Sequence, residues 1–437
     1  MNKREQLKAD ILNSIKPVEI TGQWYELDLP VTAEKITKAL REHHNVIIPE
    51  TGDVIRLEAP IYMGSDSHLK APVNQIFTQT DDSDLCLVRN EHLIDGAFEP
   101  AKGRCDENIS IEGGIWQLRA GTHGYAAPDD IVRGSRAAII ISGAKYVDIR
   151  NLTIKESLGY GIQIDYCDDF KIENIFYDNH HKDGVHVNGP VRNGLIKNLT
   201  GEKMDDDMVA LNAWDWWRSA ITFGTIERLV IEDIHSNSNE FRLLPGQKVY
   251  ENGVKVDCDI RDCVIENVTG IYTFKLYAQH CYNKQDDVSG TVGVINNVYF
   301  KDISFVKISS SGFGGLPVKS LFEMGADCSD IYIEDVNIEN TIEQCDEMDL
   351  RLINVGPLSA TYKWDPENPE TWTEVFDPDT ICTVDDVYLK NIMFAGVKET
   401  DVSKLTREVH LTVNPDYPKT TPKGGTGYGI IKKVFAE

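Results

Sequence analysis

A short pattern returns along most of this chain: apolar residues alternate with polar ones, then comes Asn or Asp, then another apolar residue. It reads YVDIRNLTI from Tyr146, FKIENIFY from Phe170, GLIKNLTG from Gly194 and LVIEDIHS from Leu229. It continues as CVIENVTG from Cys263, VYFKDISF from Val298, IYIEDVNI from Ile331 and VYLKNIMF from Val387, with an earlier copy, NISIEGGIW, at Asn108. The Asn/Asp positions are 151, 174, 198, 233, 267, 302, 335 and 391, so their separations are 23, 24, 35, 34, 35, 33 and 56. Alternation of period two and a high β-branched content mean strands. Strands that return at a fixed period, with no helical pattern between them, mean a solenoid rather than a βαβ sheet. The two shortest separations equal one coil, and the longer ones equal a coil plus an insertion of about ten residues or more. Asn and Asp suit the turn because they tolerate left-handed backbone and hydrogen-bond to it.

The expected fold is therefore all-β, a single-stranded right-handed parallel β-helix of about ten coils. Residues 31–44 (VTAEKITKALREHH) have the spacing of an amphipathic helix, placed to cap the N-terminal end of the ladder. The organisation we expect is a segment 1–50 with that helix, a solenoid over 51–400, and a Pro- and Gly-rich tail over 401–437. A long polar loop fills 355–385, and no boundary of a second independent domain stands out.

Composition restricts partners. Net charge is −26, which makes nucleic acid and anionic membrane poor ligands. No apolar run approaches the roughly 20 residues of a membrane span. The N-terminal MNKREQLKADILNSIKP is charged throughout and lacks the apolar core of a secretory signal. The nine cysteines include no CxxC pair, so a reducing cytoplasm is the expected location. Asn151, Asn198 and Asn267 lie in N-x-T sequons, which in a cytosolic ladder are coincidence. No His/Cys/carboxylate spacing calls for a metal, and no glycine-rich phosphate loop calls for a cofactor. Self-association through loops or the tail remains open.

Two segments break the hydrophobic pattern together. DNHHKDGVHVNGP places Asp183 before a strand, and EKMDDDMVALNAWDWW places Asp205, Asp206 and Asp207 before the next. Asp183 and Asp206 are 23 residues apart, one coil, so their strands are neighbours roughly 4.8 Å apart. A lone acidic triplet reads as a solvated turn; the register with Asp183 is what makes it a candidate site. Crowded carboxylates push one pKa upward, which is how an acid/base pair is made. An inverting glycosidase uses one protonated carboxyl at the leaving oxygen and one carboxylate on the water, about 6.5–9.5 Å apart. Trp214, Trp216 and Trp217 follow, either as stacking surface for a sugar or as a small core under the loop. Arg242, Lys275 and Tyr277 lie on the next rungs as candidate binding residues, with Glu240 beside Arg242. His186, three residues after Asp183, is a further binding candidate.

Over roughly residues 31–280 the chain resembles glycoside hydrolase family 28, the polygalacturonases, a branch of the pectin-lyase-like parallel β-helix proteins. The family's Asn-Thr-Asp-Gly is matched by Asp183–Gly184, and its Asp-Asp plus small apolar strand by Asp206, Asp207 and MVAL. The resemblance implies Asp207 as general acid, with Asp183 and Asp206 activating water. The family's Gly-His-Gly has no counterpart, and its Arg-Ile-Lys is reduced to Thr273–Phe274–Lys275, so only Lys275 carries over. The expected activity is hydrolysis of an oligosaccharide, inverting and exo-acting on a uronide-containing glycan. The rivals are a polysaccharide lyase with Ca²⁺ at Asp205–Asp207, a fructan transglycosylase, and a non-catalytic glycan-binding solenoid.

Overall fold

The computed structural model describes residues 2–80, 85–97, 99–119, 137–215, 220–277, 281–282, 292–306, 319–356, 360–364, 372–376, 381–412 and 426–437. Among them no helix is long and apolar enough to cross a membrane. The fold is the expected right-handed parallel β-helix. The chain divides into two compact units. The first comprises residues 1–210, 218–222 and 228–237, and the second 211–217, 223–227 and 238–437.

Helix α1 (Lys3–Ser14) and helix α2 (Ala33–His43) open the first unit. Helix α2 is the expected cap: Thr32 receives the Lys35 N–H, and Ile36, Ala39 and Leu40 are buried. Helix α1 was not expected. Its Ile11, followed by Ile15, packs on Leu195 and Val230, with Leu7 and Leu12 against the same cluster. Lys8 pairs with Glu232, and Arg228 donates to the Asp10 carbonyl.

The coils that matter for the site run through β1 (Ala137–Ser142), β2 (Ala144–Lys155), β3 (Tyr160–Asp165), β4 (Asp168–Asp178), β5 (Val185–Asn188) and β6 (Val191–Glu202). Parallel pairing stacks β2, β4 and β6 in one column and β1, β3 and β5 in another. Inside, like residues stack on like, as in Ile149↔Ile172↔Ile196 and Leu152↔Ile175↔Leu199. Where Phe170 follows in the stack, the next rung supplies Gly194. A Cβ there would sit 2.2 Å from the Phe170 ring.

All eight Asn/Asp positions of the repeat adopt left-handed backbone, with φ between 54° and 60°. In the first unit their side chains join: Asn174 donates to Asn151 at 2.9 Å and Asn198 donates to Asn174 at 2.7 Å. Asn174→Ala should therefore cost about 1–2 kcal/mol, because alanine resists this backbone and breaks both bonds. Asn174→Gly, which accepts positive φ, should cost less, and urea denaturation of the two variants separates backbone from hydrogen bonding. A second left-handed series accompanies the first, at Tyr146, Asp169, Asn193 and Arg228 in the first unit, and Asp386 in the second has the same backbone.

The second unit continues with β8 (Ile226–Leu244, from Ser238 onward), β9 (Ile260–Tyr277), β10 (Val294–Phe305), β11 (Lys319–Gly325), β12 (Asp327–Ile338), β13 (Leu350–Val355) and β14 (Ile381–Phe394). Strand β7 (Asp207–Asn212) precedes these in the chain. One of the ten-residue insertions is a hairpin, with Gly246–Val249 antiparallel to Lys255–Cys258. In the tail, Thr406–Glu408 pairs with β13, and Thr426–Ile431 and Val434–Ala436 pair with β14, so the last residues add rungs to this unit.

Candidate active site

Asp183 and Gly184 end the turn that leads into β5, and Asp206 precedes β7 by one residue. The backbone ties these rungs together: Gly161 N–H donates to the Asp183 carbonyl at 2.9 Å, and Gly184 N–H to the Asp207 carbonyl at 2.8 Å. The rungs approach closely only because residue 184 is glycine, since a Cβ there would lie 2.7 Å from the Met208 carbonyl. With the main chain fixed, Asp183, Asp206 and Asp207 each offer a carboxylate oxygen to one place, the three within 4.8 Å of one another. Asp183 and Asp207 are buried and Asp206 half-buried. Asp205 turns away: its side chain is 64 % exposed and meets His181 Nδ1 at 2.6 Å.

Lys182 Nζ lies 3.9 Å from Asp206. His180 is fully buried, its pKa lowered to about 4 by that burial, and its Nε2 meets the Asp183 carbonyl at 2.9 Å.

His186, expected as a substrate contact, is fully buried and holds Asp183 instead. Its Nδ1 lies 2.7 Å from Asp183 Oδ2 and its Nε2 lies 3.3 Å from Asn188 Nδ2. Asn188 is oriented by two donors to its Oδ1, Gln163 Nε2 at 3.3 Å and the Ile221 N–H at 3.2 Å. Its amide therefore donates to Nε2, which places the imidazole proton on Nδ1, pointing at Asp183. Tyr160 stacks on the ring at 4.1 Å. Tyr160, Gln163 and Asn188 escaped the sequence reading, although Gln163 lies one coil before His186, opposite it in register. On an acid/base reading of the cluster, His186→Ala should remove about 1.5–3 kcal/mol of orientation, roughly 10- to 150-fold in kcat with little change in KM. His186→Asn, whose Nδ2 can stand where Nδ1 stood, should restore most of it.

The remaining candidates lie in the second unit. Trp214 is 1 % exposed and packed on Gly246, whose missing Cβ would sit 2.8 Å from it. It is a core residue under the insertion and not a stacking surface, because the hairpin of Gly246 covers it. Trp216, like Trp217, lies outside the described residues. Arg242 Nη2 lies 3.3 Å from Glu240, Lys275 pairs with the same carboxylate, and the Tyr272 hydroxyl donates to it at 2.7 Å. Burial would raise the Glu240 pKa, but Lys275 and Arg242 together hold it below its usual value. Tyr277 is half-buried, and desolvation raises its pKa.

Residues 137–301 match the family model described as the right handed beta helix region. Among solved structures, a hyperthermoactive exopolygalacturonase from Thermotoga maritima aligns over 91 % of this chain and 97 % of its own, at 12 % identity and TM-score 0.50. An endo-xylogalacturonan hydrolase from Aspergillus tubingensis aligns over 92 % and 100 %, at 11 % identity and TM-score 0.40. The A-module of a mannuronan C-5 epimerase from Azotobacter vinelandii aligns over 90 % and 96 %, at 11 % identity and TM-score 0.45. No curated protein matches the sequence. Identity this low speaks to the fold and leaves chemistry to the residues themselves. Coils, family match and structural likeness agree: the chain is a right-handed parallel β-helix protein, with a polygalacturonase among the structures that share its fold.

Proposed function

We propose that this protein hydrolyses a glycosidic bond of an oligosaccharide, with Asp183, Asp206 and Asp207 as its acid/base machinery. The observation that carries the reading is the convergence of three carboxylates from adjacent rungs within 4.8 Å. Burial beside two other carboxyls favours the protonated form of one of the three, and Asp207, the most deeply buried, takes the part of general acid. Asp183, aimed by His186, and Asp206 hold the water. Two carboxylate oxygens at this spacing can share one water, since two hydrogen bonds of about 2.7 Å span up to roughly 5.4 Å.

The spacing is tighter than the roughly 6.5–9.5 Å expected between inverting carboxyl groups. Attack by a water held between Asp183 and Asp206 gives inversion, whereas direct attack by one of these carboxylates, which the tighter spacing also allows, gives retention. Proton NMR of fresh product reads the anomeric configuration. A retained anomer means that one carboxylate is a nucleophile and removes the shared-water assignment. No turnover on any uronide, neutral glycan or fructan sinks the hydrolase reading altogether.

One observation favours a second reading. Three carboxylate oxygens this close also suit a hard divalent cation such as Ca²⁺, as a lyase would use. Turnover that survives a chelator and yields no unsaturated product excludes it.

A further inference from the structure

The second unit carries another group of chemistry-bearing side chains, on β9, β11 and β13. Parallel pairing sets Lys275 beside Glu323 and Glu323 beside Asn354, one residue per rung. Their neighbours Phe274, Leu276, Phe322, Met324, Ile353 and Val355 are buried in the core, so the alternation of the strands sends all three to the opposite face. Tyr277 shares that face, and its partner on the next rung is Gly325, which puts no side chain beside the ring.

Two features of this face bear on what it can bind. Its cations are already compensated within the protein, because Lys275 and Arg242 share Glu240. Burial also pushes Glu323 up to about 7, with Lys275 and Arg242 opposing the shift and Glu240 reinforcing it. The second feature is Asn354. It is fully buried, yet neither its Oδ1 nor its Nδ2 finds a partner among the described residues. A buried amide left unmatched at both ends is costly, and a ligand that pairs with it relieves that cost.

We propose that Lys275, Glu323, Asn354 and Tyr277 bind an uncharged, hydroxyl-rich sugar residue rather than a uronate. The column alternates ammonium, carboxyl and amide, which offers donors and acceptors in turn. Vicinal hydroxyls, each both donor and acceptor, match that alternation. A sugar carboxylate would need an uncompensated cation and would instead meet Glu240 and Glu323. The inference rests on the carbohydrate reading above and narrows its substrate class.

The test is calorimetric titration of the full-length Asp207→Asn protein with neutral gluco-, galacto- and xylo-oligosaccharides and with oligogalacturonides. Neutral sugars should bind at least about tenfold more tightly than uronides. Asn354→Ala and Glu323→Ala should each weaken neutral binding about tenfold. Glu240→Gln should release Lys275 and Arg242 and strengthen uronide binding about tenfold. Thermal melting identifies any variant that fails to fold, and the near-isosteric Glu323→Gln and Asn354→Leu then replace the alanine variants. Tighter binding of uronides by the parent, or neutral binding indifferent to residues 323 and 354, overturns the proposal. A chain that binds neutral sugars and cleaves none removes the hydrolase reading and keeps this site. A chain that cleaves uronides regardless of residue 354 does the reverse.

Discussion

Asp207→Asn should lower kcat by about 10²–10⁴-fold, the range that a general acid supplies, while the fold stays intact. Asparagine has the same shape, so packing is kept, but it cannot deliver a proton. A general acid is protonated before it acts, so the neutral amide leaves the charge of the cluster unchanged and the melting midpoint should hold. Asp183→Asn should behave alike. A glycan-binding solenoid predicts something different: neither substitution would change a turnover that was never there, and sugar binding would survive both. Steady-state kinetics with a melting curve on each variant separates the two cases.

The largest effect on stability is expected from Phe274→Ala, about 3–5 kcal/mol. Phe274 is fully buried and lies flat on Phe322, with ring centroids 4.9 Å apart and planes 6° apart. Phe241, Phe300 and Phe305 surround it at 5.2, 5.2 and 5.9 Å. Five aromatic side chains from four strands, β8 to β11, thus share one packed cluster, which cannot readily collapse around a hole because the strands anchor the rings. Urea denaturation reads the loss, and an unchanged midpoint would mean that this cluster does not hold the second unit together.

What the sequence displayed depended on which residues could meet the local demand. The turn at 151, 174 and 198 needs left-handed backbone, and few side chains tolerate it, so Asn and Asp recur visibly. The companion column has the same backbone but includes Tyr146 and Arg228, and its composition hid it. Helix α1 was overlooked because its charges dominate, although Leu7, Ile11 and Ile15 already formed a stripe at helical spacing. Asp183 and Asp206 could be paired because exactly one uninterrupted coil separates them. Glu323 and Asn354 could not be linked to Lys275, because the connections between their strands include residues 283–291 and 307–318, which blur the period. His186 was given a surface role, and Trp214 was left between a stacking surface and a small core. Their burial depends on what packs over them, and a one-dimensional pattern does not carry that.

The asparagine ladder has a consequence for how this protein can be produced. Asn151 and Asn198 are sequon asparagines whose amides are committed to Asn174 in the folded state. A eukaryotic secretory host attaches glycans to such sites as the chain emerges, before any coil has closed. A glycan on Asn198 takes up the nitrogen that donates to Asn174, and one on Asn151 crowds the next rung. The same turns that align the coils would then hold them apart, so a bacterial cytoplasm, which leaves these amides bare, is the expression route this solenoid tolerates.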